Sequence, residues 1–305
     1  MVLTDARRRV EELGWDVPAE TLEAVDRCNL CGGASFVTIT HRDRYGFALH
    51  SVACSTCGLV FLDPRPSATA YDAFYRETYR PLVSAFHGRL IDPASVEADQ
   101  GAYAAELKRL LEPFVSGKSG GSLLDVGGST GVVAEVICRA YRLDGTVLDP
   151  APAELERAAG RGLATVPGTI EAFDPGTAVF DVVLLCQTLD HVLDASGTLA
   201  KLREVLADDG VLFVDVVDFR ASYLRGWSVE DATKVDHPYA FTEDTIEATL
   251  ERSGLTVMRK SYASDRLHVG YVCCRGVASS TLPSVGSVRE LLREIRLVQN
   301  APASR

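Results

Sequence analysis

The chain lacks any run of about 18 consecutive apolar residues, so nothing in it is built to span a membrane. It is also short of positive charge. Lys and Arg total 31 against 42 Asp and Glu, a net charge of −11 over 305 residues. A protein this acidic repels polyanions, which excludes nucleic acid and anionic membrane surfaces as partners unless a local basic patch intervenes. The one dense basic run, Arg7-Arg8-Arg9, falls in a short amphipathic stretch and reads as a solvated helix face. Met1–Asp5 lacks the charged-then-apolar layout of a signal peptide, and the expected compartment is the cytoplasm. Internal repeats and low-complexity tracts are missing as well. What is present, 47% hydrophobic and 24% charged residues, suits one α/β core with a small attachment.

The eight cysteines do not make a disulfide framework, because a reducing compartment disfavours one. Cys138, Cys186, Cys273 and Cys274 lie in apolar segments and read as small core residues. Cys28, Cys31, Cys54 and Cys57 form two CxxC pairs, each followed at once by glycine, Gly32 and Gly58. Two thiolates on a tight turn can hold one ion, and the glycine permits the positive φ that turns backbone N–H groups toward sulfur. Two such turns give a four-sulfur tetrahedral site suited to Zn2+ with no position left for water, hence a structural metal. His41 and His50, between the pairs, read as ordinary residues. The intervening loop, with Arg42 and Arg44, has too little basic density for nucleic acid.

Along the chain, residues 1–27 carry two short helical patterns, Ala6–Leu13 and Ala19–Val25. Strands are expected at Ser35–Thr40 and Phe47–Ala53, and Asp63-Pro64-Arg65-Pro66 stops regular structure. A Tyr/Phe-rich helix spans Ala68–Tyr79 and another about Ala94–Val115. After the flexible junction Ser116–Ser122, strands at Leu123–Val126, Thr146–Leu148, Ala164–Val166, Val182–Cys186 and Val211–Val216 alternate with helices, as in a parallel sheet wound with crossovers. Thr242–Arg252 is helical, Leu255–Ala263 and His268–Cys274 form a closing antiparallel pair, and Val285–Gln299 is an amphipathic helix. The expected division is 1–65 (N-terminal helices and four-cysteine zinc module), 66–118 (helical linker or lid), 119–275 (α/β domain) and 276–305 (C-terminal helix and tail).

Leu123-Leu124-Asp125-Val126-Gly127-Gly128-Ser129-Thr130-Gly131 is a strand running through a glycine-rich turn into a helix. Asp149, followed by Pro150, ends the second strand. A carboxylate there suits the two hydroxyls of a ribose. The turn does not fit G-x-G-x-x-G, since Ser129 and Val132 occupy its later glycine places. It resembles motif I, D-x-G-x-G-x-G, of class I S-adenosylmethionine-dependent methyltransferases, with Ser129 where a glycine is usual. Phe180–Gln187, Thr188-Leu189-Asp190-His191-Val192 and Leu199–Leu212 are similar to that family's fourth strand, acid-His-Val segment, and following helix and strand. The resemblance covers about residues 120–275 and implies a Rossmann-like, mostly parallel sheet with an antiparallel closing strand. It implies cofactor contacts from Asp125, Gly127, Gly128, Ser129, Gly131, Asp149, Pro150, Thr169, Ile170, Cys186 and Gln187, with Thr169 standing where the family has an acid. With the cysteine module, a small zinc-ribbon-like attachment, the layout is similar to sugar and natural-product methyltransferases such as the deoxysugar C-methyltransferases. Those continue into a further C-terminal domain, where this sequence has only Gly276–Arg305.

Methyl transfer to a hydroxyl or an acidic C–H needs a base. Lys234-Val235-Asp236-His237-Pro238-Tyr239 supplies the best candidates, since a histidine titrates near neutrality and Asp236 can orient or charge His237. In the resembling enzymes an acid-His pair at this place is associated with catalysis, preceded by a tyrosine where Lys234 stands. Lys234 suits a substrate phosphate or carboxylate. His191 is the second catalytic candidate, and Tyr75, Tyr79 and His87 (with Tyr71 in the same stripe) are candidates to line the acceptor pocket. The expected reaction is methyl transfer to a small molecule, with a nucleotide-linked sugar, glycoside or polysaccharide precursor favoured. The rivals are a nicotinamide-dependent sugar oxidoreductase and a non-catalytic zinc-ribbon interaction protein on a methyltransferase-like scaffold. Oligomeric state and the methylated atom are not readable.

Overall fold

The computed structural model describes residues 2–300. The N-terminal part runs through α1 (Val2–Glu11), β1 (Leu22–Glu23), β2 (Phe36–Thr40), β3 (Ser51–Cys54), β4 (Val60–Leu62) and β5 (Arg65–Pro66). Helices α2 (Ala68–Glu77), α3 (Tyr79–His87) and α4 (Pro93–Val115) follow. The main domain is then β6 (Ser122–Val126), α5 (Val132–Tyr141), β7 (Asp144–Asp149), α6 (Pro152–Gly160), β8 (Ala164–Pro167), β9 (Phe180–Cys186), α7 (Ala195–Val205) and β10 (Leu206–Val217). It closes with α8 (Phe219–Gly226), β11 (Tyr239–Ala240), α9 (Glu243–Arg252), β12 (Leu255–Tyr262), β13 (His268–Arg275) and α10 (Val285–Asn300).

The main sheet has seven strands in the order β12-β13-β10-β9-β6-β7-β8. The five strands from β10 to β8 are parallel, and β13 pairs antiparallel to both β10 and β12. Buried on both faces, its central strands are continuous apolar runs, Leu123-Leu124 and Val182–Leu185, as a sheet covered by helices requires. One face packs on α4, α5 and α6 through Leu107, Leu111, Val133, Ile137 and Leu155. The other packs on α7 and α9, and its core runs without a break into Cys28, Leu30, Val52, Leu59 and Phe61 of the cysteine module.

Several local expectations are corrected. Ala19–Val25 is a single 3-10 turn (Ala19–Thr21) and then β1, because Leu22 and Glu23 pair with Pro66 and Arg65. The Asp63–Pro66 stretch accordingly ends in a strand, after a cis Asp63–Pro64 bond. The expected Ala68–Tyr79 helix is α2, ending at Glu77, and the sequence pattern does not announce the helix that follows it, α3: Pro81, near its start, has no N–H to continue the ladder of α2. Phe47–His50 lies outside the ladder, and the regular strand is Ser51–Cys54. The sequence pattern does not announce β4, α8 or β11. β11 follows the main sheet's β10 in the chain, yet it pairs with β4 as the edge of the cysteine module's sheet, order β11-β4-β3-β2. No described helix is long and apolar enough to cross a membrane.

Candidate active site

Every residue expected to touch cofactor sits at the carboxyl edge of the parallel strands: 125–131 at the end of β6 and in the turn beyond it, 149–150 at the end of β7, 169–170 after β8 and 186–187 at the end of β9. The turn after β6 needs its glycines. Gly131 has φ +75°, and a Cβ there would stand 2.7 Å from Leu163. A Cβ on Gly128 would stand 2.6 Å from the Asp125 carboxylate. Ser129 sits at φ +51°, a left-handed conformation that costs a non-glycine residue energy.

Asp149 is buried. Its Oδ2 accepts the Ser129 N–H and its Oδ1 the Ala151 N–H, both at 2.9 Å, which uses about half of a carboxylate's roughly four accepting positions. Burial raises its pKa against the pull of those two N–H groups. Asp125 is fully buried with neither carboxylate oxygen hydrogen-bonded to protein, and burial, then Asp149, pushes its pKa up to about 7. The Ser129 hydroxyl is likewise buried without a protein partner. Unspent polar atoms around a glycine cradle fit a polar ligand at this edge. Ile170 is in the core, with Lys201 donating to its carbonyl at 2.8 Å. Thr169 is half-buried, Pro150 and Gln187 are exposed, and Cys186 is half-buried beside Tyr103. The Gln187 N–H donates to buried Asp215 at 2.8 Å. Helices α3 and α4 reach this edge: Arg80 pairs with Glu154 at 2.5 Å, and Glu97 with Arg157 and Arg161 at 3.1 and 3.0 Å.

The second group gathers His191, from the 3-10 turn after β9, and Lys234, Asp236 and His237, from the loop before β11. Asp236 is 3.7 Å from His237 Nε2, and the contact to the ring's other nitrogen comes from elsewhere: Asp190 Oδ2 lies 3.0 Å from His237 Nδ1. In the sequence Asp190 stands out only as the acid of the acid-His-Val segment, with no sign of its partner. The two imidazoles stand edge to face with centroids 4.5 Å apart. Tyr75 bonds His191 Nδ1 at 2.8 Å and donates to the Asp236 carbonyl at 3.0 Å, and Tyr79 packs against His191. His87 is exposed at the end of α3 and shares no hydrogen bond or ring contact with the group. Burial and the His237 charge lower the His191 pKa to about 4. Asp190, despite its burial, is held well below the usual carboxylate range by His237 and His191. Lys234, 3.9 Å from Asp236, is lowered by burial and held up chiefly by that carboxylate. Donor atoms of Asp190, His191 and His237 lie within 4.8 Å of one another, but the Lys234 ammonium opposes a cation there.

The four cysteine sulfurs of the module also lie within 4.8 Å of one another, with Cys28–Cys57 and Cys31–Cys54 both at 3.5 Å. An ion bound at about 2.3 Å from four sulfurs would set them about 3.8 Å apart, so the set fits tetrahedral zinc. His41 and His50 stack on each other 4.9 Å apart.

A parallel sheet in this strand order, an antiparallel strand inserted beside β10, and a glycine turn facing an acid at the next strand's end define a class I methyltransferase fold. Residues 96–260, more than half of the chain, match the methyltransferase-domain family, and the chain belongs to it. A ubiquinone biosynthesis O-methyltransferase of Methylocella silvestris is 30% identical over 123 residues, 35% of this chain and 47% of that protein. A malonyl-[acyl-carrier protein] O-methyltransferase of Geobacter sulfurreducens is 30% identical over 175 residues, 52% of this chain and 66% of that one. The chain thus spans about half to two thirds of the length of these curated relatives. Among solved structures, the mitomycin 7-O-methyltransferase MmcR is similar in fold, with a TM-score of 0.50 and 21% identity over 68% of this chain and 60% of that one.

Proposed function

We propose that this protein methylates a small polar acceptor, a sugar carried on a nucleotide or within a glycoside or polysaccharide precursor, with His237 as base. The observation that carries the reading is the 3.0 Å contact between buried Asp190 and His237 Nδ1. An Nδ1–H held by a carboxylate leaves the Nε2 lone pair free to take a proton, and the same carboxylate stabilises the imidazolium that results. Asp236, at 3.7 Å from Nε2, is too far to occupy that nitrogen.

Bound S-adenosylmethionine supplies a methyl group already activated on a sulfonium. The protein's own part is to hold it and the acceptor in line, exclude water and move one proton. Asp149 and the Asp125–Gly131 turn hold the cofactor's polar groups. His237 Nε2 would take the proton that the acceptor gives up as the methyl group leaves the sulfonium sulfur, which departs as the neutral thioether. His191, kept neutral by its burial and pinned by Tyr75, offers its second nitrogen as a hydrogen-bond partner without adding charge. Lys234 and the Tyr75/Tyr79 wall suit a polyhydroxylated acceptor bearing an anionic group. The curated relatives' names describe O-methyl transfer, which is consistent with a hydroxyl acceptor. Cys28, Cys31, Cys54 and Cys57 hold a structural zinc ion.

The test is turnover of S-adenosylmethionine against a panel of nucleotide-linked sugars and glycosides, followed by release of S-adenosylhomocysteine. His237→Ala is expected to abolish turnover while S-adenosylhomocysteine affinity, measured by calorimetry, stays within about twofold. Equal loss of both would remove His237 as base, and turnover only with non-sugar acceptors would replace the acceptor class.

A further inference from the structure

The segment bearing Lys234, Asp236 and His237 is fastened chiefly to the N-terminal module. Asp43, in the loop between β2 and β3, is completely buried. Its Oδ2 accepts the Val235 N–H at 2.8 Å, and its Oδ1 accepts the Gly46 and Phe47 N–H groups, both at 3.0 Å. The neighbouring Arg44 donates its backbone N–H to the Thr233 carbonyl at 2.9 Å and its guanidinium to the Asp231 carbonyl at 2.7 Å. Arg7 ties the assembly from outside, bonding the Arg44 carbonyl at 3.0 Å and pairing with Glu230 at 2.7 Å. Tyr71 donates to the Val235 carbonyl at 2.7 Å. On the other side of His237, the Leu62 N–H donates to the Pro238 carbonyl at 3.0 Å, and Tyr239 pairs with Phe61.

A carboxylate buried so completely costs free energy unless its hydrogen bonds are worth more. Asp43 spends three, and one of them crosses to a residue two places before His237. A loop residue with no contact to the cofactor edge thus sets the height and pitch of the acid–histidine segment against Asp190, which hangs from a different strand.

From this geometry we infer that Asp43 is the positioning residue of the catalytic segment, and that the cysteine module acts in the reaction through it. The inference rests on His237 being the base. It assigns the module a role that neither its metal nor its core packing requires.

The test uses full-length protein, wild type and Asp43→Asn, labelled with 15N-histidine, and needs no acceptor. It is run on the alkaline side of about 7, the value to which burial pushes the Asp43 pKa, so that the wild-type carboxyl is ionised. Asn keeps the shape but gives up the charge and one accepting oxygen. Amide exchange of residues 233–237 is expected to quicken about tenfold, the effect of losing one charge-assisted hydrogen bond, while β6 exchanges as before. The ring 15N signals of His237, which report the Nδ1 contact to Asp190, are expected to shift toward those of a solvated imidazole. Affinity for S-adenosylhomocysteine is expected to stay within about twofold. Unchanged exchange and unchanged ring signals would overturn the inference, as would a loss of cofactor affinity equal to the gain in exchange. Should Asp43→Asn not fold, Tyr71→Phe, which removes only the phenol contact to Val235, is judged by the same readouts. Failure of the methyl-transfer reading shows separately, as wild-type protein that does not bind S-adenosylhomocysteine.

Discussion

His237 and Asp190 come from opposite sides of β10 in the chain and meet with Nδ1 3.0 Å from Oδ2. Neither residue's own neighbours in sequence supply that contact. Asp236, next to His237, faces the other ring nitrogen at a distance too long for a hydrogen bond. This pairing makes Asp190, with His237, the most consequential substitution target.

Asp190→Asn removes the charge that orients His237 and stabilises its protonated form. Turnover should fall about 100-fold or more, within the range a positioned base contributes, with S-adenosylhomocysteine binding nearly unchanged. Steady-state kinetics paired with calorimetry decides it. A variant with wild-type kcat would show that the pair is structural.

Asp149→Ala tests the cofactor end. It deletes the accepting oxygens at the tip of β7 and releases the Ser129 N–H. S-adenosylhomocysteine affinity should weaken about 10- to 100-fold, as expected for losing one or two hydrogen bonds to a charged acceptor. If affinity holds, the diol of the cofactor's ribose is bound elsewhere.

His191 gives a pH dependence of stability. Its pKa falls from 6.5 to about 4 on folding, so below 6.5 the unfolded chain takes up a proton that the folded state refuses. The sign follows: the contribution is complete above pH 6.5 and is lost as pH falls toward 4, roughly 3 kcal/mol in all. Urea unfolding at several pH values should show wild-type stability dropping across that window and a shallower slope in His191→Gln. Parallel curves would contradict it.

The cysteine module should carry one zinc per chain, measurable by elemental mass spectrometry on purified protein. Its core is continuous with the main sheet, so metal loss should be felt beyond the module. A strong chelator, or Cys57→Ser, should lower the melting temperature by about 10 °C, the scale expected for several kcal/mol in a chain this long. Metal-free protein with an unchanged melting temperature would refute the assignment.

Much of the fold was readable along the chain because its signals are local. The apolar strands Leu123–Val126 and Val182–Cys186, the helices between them and the antiparallel closing pair follow from hydrophobic period and turn residues, and they occur close to where those patterns place them. The glycine turn was equally visible, since close approach at Gly128 and a positive φ at Gly131 restrict residue type at those positions. Errors fell where tertiary pairing overrode local pattern. Leu22-Glu23 became a strand because Arg65-Pro66 lies beside it. Tyr239-Ala240 became one because the edge of β4 was open to it.

The sequence alone therefore made the family legible: the glycine turn, the acid after the second strand and the paired cysteines are all patterns a few residues long. Only the folded chain decided which carboxylate serves His237 and what holds its loop in place. Those contacts join Asp190 to His237 and Asp43 to Val235 across long separations in the chain. Such pairs leave no periodicity or motif, because the geometry that unites them is set by packing a whole sheet against a second one.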